Sequence, residues 1–171
     1  MSKKETQKHI SEVRRNIMLC IGELSERMTD HDQSKLEEPE ASGFAKVTKN
    51  LKSLTYGSEE YKEQLKEMKP FLDYHYENNR HHPEFFINGI QGMTLIDILE
   101  MLMDWLAATK RHADGNIMES IIINQKRFGY SHELGHIFIN TIEWIEDKKF
   151  DDFYDTKLGI PYENKDKNDN K

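Results

Sequence analysis

Apolar side chains return every three or four positions along the first thirty residues: Ile10, Val13, Ile17, Ile21, Leu24 and Met28. That spacing gathers them on one stripe of an α-helix and predicts helix from about Glu5 to Met28, ending at Thr29-Asp30. The same period returns at Phe44, Val47, Leu51 and Leu54 and stops at the turn-forming TYGS, where Ser58 is placed to cap a charged helix through Tyr61, Leu65 and Met68. Pro70 is expected to interrupt or kink that helix, because it lacks an N–H and crowds the preceding turn. Asn78-Asn79 and Pro83 then predict a helix end followed by a loop.

Thr94 and Asp97 read as a capping box, with a carboxylate in place of the usual Glu, for the strongly apolar LIDILEMLMDWLAATKRH. Within it Asp97, Asp104 and Arg111 stand seven apart, hence nearly on one helical face. Two more helices are expected, from Met118 to Arg127 and from Ser131 to about Asp147, the latter with Leu134, Ile137, Phe138, Ile142 and Ile145 as its buried stripe. No β-alternation, internal repeat or Gly-rich phosphate loop is visible. The expectation is an all-α, compact domain of about six to seven helices over residues 1–160, followed by a polar tail, 161–171, too poor in apolar residues to order.

Composition narrows the partners. The chain has 171 residues, the size of one domain, with 32% charged residues and a formal net charge of −7. A chain that coats nucleic acid without sequence preference needs a concentrated basic face, which this balance argues against. A small phosphorylated ligand, held by a few local cations, remains compatible. MSKKETQKHI has no apolar core of a signal peptide, and no run approaches the ~18 apolar residues of a membrane span. A cytoplasmic protein without a membrane partner is therefore expected. The single Cys20 has no internal disulfide partner and, among apolar helix positions, reads as a buried, inert thiol.

The densest chemistry lies in Asp73 to Glu84, DYHYENNRHHPE, which holds His75, His81 and His82; upstream stand His31-Asp32. His9 falls four residues before Val13, at the edge of the first stripe. Asp104 sits between Met103 and Trp105 on the apolar helix, where a carboxylate is costly unless something positive faces it. Mixed histidine and carboxylate shells leave coordination positions open and tolerate Mn, Mg, Fe, Co or Zn.

The order His, His-Asp, further His and a distant helical Asp resembles the metal-dependent HD phosphohydrolases, an all-α superfamily. More closely, HDQSKLEEPE, HYENNRHHPEFF, LEMLMDWLAA and KRFGYS resemble a poorly characterised family of phage and bacterial proteins with that pattern, from His9 to about Trp144. The resemblance implies an HD-like helical domain in which His9, His31, Asp32 and Asp104 are metal ligands, Asp32 bridging where there are two ions. His75, His81 and His82 are the candidates for completing a second site. Only one of His81 and His82 is expected to face inward, because adjacent side chains on a helix or strand diverge. The spacing from His9 to His31 is short for the superfamily.

One or two divalent ions would lower the pKa of bound water, supply hydroxide as nucleophile and take up charge on phosphate oxygens. The implied function is a phosphohydrolase acting on a small phosphorylated molecule, with a nucleotide as the leading candidate and with Asp32, Lys35 and Arg111 catalytic. Lys35, three residues past Asp32, Arg111, one heptad past Asp104, and Arg80 are the candidate phosphate-binding cations. Plainer readings exist for each residue: His9 as packing or surface, Asp32 as a helix cap, Asp104 as partner of Lys110 or Arg111. The plainer reading of the whole chain is a non-enzymatic helical binding protein, phage-encoded and directed at a host factor.

Residues 132–136 spell a rival motif, His-Glu-Leu-Gly-His. On a helix this sets His132 and His136 on one face for zinc, with Glu133 as general base of a peptidase. Its context is poor: no histidine follows His136, Glu143 and Glu146 share the same helix, and Asp151 or Asp152 are left as third-ligand candidates. Ser131 as N-cap with Glu133 in the first turn explains the segment as ordinary helix initiation.

Overall fold

The computed structural model describes residues 2–51, 59–111 and 115–147. Among them the protein is all-α: α1 (Lys3–Asp30), α2 (Glu40–Leu51), α3 (Glu59–Asn78), α4 (Leu95–Thr109), α5 (Ile117–Phe128) and α6 (His132–Asp147), with short 3-10 turns at Gln33–Leu36, Pro83–Phe85 and Gly89–Gly92 and no strand. Leu54, the TYGS turn, the Ser58 cap and the tail 161–171 lie outside the described residues, as do Asp151 and Asp152. The described residues fall into two compact units, one ending at Gly115 and one beginning at Asn116. No described helix is long and apolar enough to cross a membrane.

In the first unit α1 begins on a capping box between Ser2 and Glu5 and runs unbroken for 28 residues. Its periodicity predicts the helix correctly but not its cover, for no residue of α1 is buried. Cys20 is exposed, not the buried thiol expected from its apolar neighbours. The C-terminal end of α1 is tied to α4 by Arg27, whose guanidinium lies 3.1 Å from Asp97 and 2.9 Å from Glu100. α2 packs along α3, and there Gly43 is required: a Cβ at that position would lie 2.3 Å from the Phe71 ring. α3 runs through Pro70 without ending; packing carries the helix past the residue that local propensity would have it stop at. α4 starts on the expected Thr94–Asp97 capping box and buries Met101, Leu102 and Leu106.

In the second unit Asn116 caps α5 by accepting from the N–H groups of Met118 and Glu119, and Gly129 at φ 67° closes it in the left-handed conformation that a side chain resists. α6 packs on α5 with Phe138 and Ile142 fully buried and Tyr130 edge-on to Phe138. Ile137, expected in the same stripe, is exposed.

Candidate metal centre

Four segments of the first unit bring histidines and carboxylates together. After the last turn of α1, Asp32 adopts φ 58°, a left-handed conformation that Asp tolerates better than most residues. This reverses the chain into the Gln33–Leu36 turn and leaves His31 and Asp32 on the same centre. The last turn of α3 contributes His75, the loop after it His81 and His82, and one face of α4 Glu100 and Asp104, four residues apart.

The carboxylates behind the imidazoles fix their orientation. His75 Nδ1 is 2.8 Å from Oε2 of the fully buried Glu40, while Oε1 of Glu100 lies 3.0 Å from His31 Nδ1 and 3.2 Å from His81 Nδ1. A carboxylate only accepts, so the Nδ1 facing it is the ring's donor, and Nε2, on the other side of the ring, is the position a metal would take in place of a proton. Those Nε2 atoms converge: His75 Nε2 stands 3.3 Å and His81 Nε2 3.5 Å from Asp32 Oδ1, and His31 Nε2 3.7 Å from both Asp32 Oδ2 and Asp104 Oδ1. The His75, His81 and His82 rings lie within 5.7 Å of one another, centroid to centroid.

Among the described residues nothing satisfies the atoms at the focus. The Nε2 atoms of His75, His81 and His82 and Oδ1 of Asp32 are buried with no hydrogen-bond partner among the described residues, although the Nε2 atoms of His75 and His81 come within 3.3 and 3.5 Å of Asp32 Oδ1. An unmade buried hydrogen bond costs about 1–3 kcal/mol, so four at one point need an explanation. Two triads, His75–His81–His82 and His31–Asp32–His81, have ligand atoms within 4.8 Å of one another, close enough to share an ion. The residues present fit a divalent metal.

The carboxylates at the same point stay ionised. Burial raises the Asp32 carboxyl, but His75, His81 and Lys35 outweigh it and hold it well below the ordinary carboxylate range. Burial likewise opposes ionisation of Asp104 and Glu100, and the adjacent His31 and His81 again win. Asp104 and Glu100 push His31 up to about 10. His81 rises because Asp32 and Glu100 overcome its burial, whereas burial and the charges of His81 and His75 lower His82 to about 3.

The remaining expected residues fall differently. His9 is exposed on α1, 22 residues before His31; at 1.5 Å per residue along a continuous helix that is about 33 Å, so His9 does not reach the centre. Arg111 is exposed in the turn after α4, which ends at Thr109, so the heptad that placed it over Asp104 does not extend to it. Arg80 turns away to Asp97, bonding both its oxygens at 3.1 Å, with its guanidinium over Phe85 and Phe86. Lys35 does lie at the rim, 2.7 Å from Asp32 Oδ2. His81 and His82 both face inward, correcting the expectation of one, because they occupy an irregular loop in which neighbouring side chains need not diverge. Glu100 and Glu40 are not among the residues the sequence singles out. Glu100 had a signal, standing three residues after Asp97 and four before Asp104, whereas Glu40 looks like any first-turn acid.

In the second unit His132, Glu133 and His136 are all exposed on α6. Ser131 caps that helix as expected, accepting from the N–H of Leu134. Among the described residues no metal-competent cluster includes the motif.

The first unit is thus an all-α body built around a buried histidine and carboxylate cluster. Over residues 1–149 the chain matches the family of unknown function DUF5662, and it belongs to that family. No curated protein and no solved structure matches it.

Proposed function

We propose that this centre binds a divalent transition metal and hydrolyses a phosphate ester or anhydride of a small molecule, a nucleotide being the leading candidate, in the manner of the HD phosphohydrolases. The observation that carries the reading is the convergence of three unpartnered imidazole nitrogens, of His75, His81 and His82, and one carboxylate oxygen, with the His75 and His81 rings held from behind by Glu40 and Glu100. His31, His75, His81, His82, Asp32 and Asp104 would hold the ion or ions. A donor set this rich in imidazole suits Zn, Fe, Co or Mn better than Mg. The metal, when bound, acidifies a coordinated water and neutralises charge on phosphate oxygens.

The chain's own residues do the rest. Glu40 and Glu100 keep the imidazoles of His31, His75 and His81 turned with Nε2 inward, and Arg27 neutralises the outer oxygen of Glu100. Lys35, partly exposed beside Asp32, is the cation placed to meet an incoming phosphate. His9 and Arg111 have no part in it.

The test is elemental analysis of purified protein joined to a screen of nucleotides and sugar phosphates for released phosphate. Stoichiometric metal lost in Asp32→Ala and His75→Ala, with phosphate release lost in parallel, supports the reading. Metal retained in both variants overturns it. Metal bound with no phosphate released from any substrate class leaves a structural centre in a helical binding protein, and the hydrolase reading fails.

A further inference from the structure

Among the described residues nothing buries one face of α1, the longest helix. Ile10, Val13, Ile17, Cys20, Ile21, Leu24 and Met28 fall within about 100° of arc on α1, at 100° per residue. The face runs over five turns. None of these side chains is buried; Ile17 is 54% exposed, Ile21 51% and Met28 74%. Scattered surface leucines are ordinary, but a continuous apolar stripe on a helix is a packing surface.

The charges of α1 say what would cover it. Residues 3–15 carry Lys3, Lys4, Lys8, Arg14 and Arg15 against Glu5 and Glu12, a net charge of +3, while residues 16–30 carry Glu23, Glu26 and Asp30 against Arg27, a net charge of −2. A helix with one basic and one acidic half around a common apolar stripe is complementary to itself in one orientation. Turned end for end, a second α1 sets its basic half against the first one's acidic half; side by side in parallel, like halves meet. Such a pairing is also closed by a two-fold axis, as most homodimers are.

We propose that the apolar face of α1 is a homodimer interface, in which the α1 helices of two copies pair antiparallel about a point near Ile17. A single helix pair about 42 Å long lies at the small end of specific interfaces, below the roughly 800 Å² per partner of the standard size. A reversible dimer in the micromolar range is therefore expected. The opposing charges supply orientation and salt sensitivity more than affinity. Pairing of this kind leaves His31 and the metal centre at the far end of each helix, so it does not depend on the function proposed above.

The experiment is sedimentation velocity and light scattering on the full chain from low micromolar to near-millimolar concentration, at low and high salt. The expected result is a monomer–dimer equilibrium weakened by salt. Ile17→Glu should raise the dissociation constant at least tenfold, whereas Leu19→Glu, an equal loss on the opposite side of α1, should leave it unchanged; circular dichroism of both variants reports whether the helix survives. Orientation is read from Cys20: antiparallel pairing about Ile17 offsets the two thiols by about 9 Å along the axis, beyond disulfide reach, so mild oxidation should give no Cys20–Cys20 dimer. A monomer throughout the range, or equal effects of the two glutamates, overturns the interface. Efficient Cys20 cross-linking overturns the antiparallel arrangement.

Discussion

Replacing Glu100 by Gln asks whether the imidazoles are held for a metal. The side chain keeps its size, is 10% exposed in the native protein, and serves three donors: Oε1 faces the Nδ1 atoms of His31 and His81, and Oε2 accepts from Arg27 at 2.9 Å. An amide has one acceptor oxygen. If that oxygen keeps the imidazoles, the new NH2 points at a guanidinium; if the NH2 turns to the imidazoles, each must present a bare Nδ1 and move its proton to Nε2, where it blocks the ligand position. Arg27 retains Glu23 and Asp97, so the first alternative is tolerable for the fold. Either way at least one charge-assisted bond is lost, worth about 1.5–3 kcal/mol in folding stability. Metal affinity should fall more distinctively, by about 10- to 100-fold, the usual consequence of removing the carboxylate behind a ligating histidine. Competition of Zn or Co against a chromophoric chelator measures it, with thermal melts in the presence and absence of metal as the stability control. An affinity within about twofold of wild type would refute the reasoning, because the orientation of the rings would then not depend on their outer partner.

Asp97→Asn removes the buried carboxylate that holds Arg27, Arg80 and the N–H of Thr94, and should lower stability by about 2–4 kcal/mol in chemical denaturation, below the loss for a fully buried pair because Arg80 is half exposed. Burial alone would raise its pKa, but Arg80 and Thr94 lower it beneath the ordinary 3.8; a lowered folded value stabilises above pH 3.8 and is lost as pH falls through it, so the gap between wild type and variant should close in strong acid. Phe138→Ala opens a cavity beneath Tyr130 in the second unit and should cost about 3–5 kcal/mol, visible as an early transition in calorimetry. His9→Ala, about 33 Å along α1 from His31, and Arg111→Ala, exposed in the turn after α4, should leave metal content at the wild-type level by elemental analysis; a loss in either would show that the centre extends beyond the residues assigned to it.

Most of the helical fold was legible in the sequence because its causes are local. The three-and-four spacing of Ile10 to Met28 makes α1, Thr94 with Asp97 starts α4, and Ser131 starts α6 regardless of what surrounds them. His31-Asp32 and the His75, His81 and His82 segment also stood out, since such donors are rarely gathered without a use. Tertiary structure decided everything that depends on direction. The left-handed turn at Asp32 and the loop after Asn78 bring His31, His81 and His82 onto one point, which no spacing rule for regular helices describes. The unbroken length of α1 separates His9 from that point, although one-dimensional order made it look like a ligand. Glu40 became a partner of His75 through a contact 35 residues apart in the chain. Periodicity records which face of a helix is apolar; what covers that face, and which polar groups meet across a turn, is fixed only when separate segments pack.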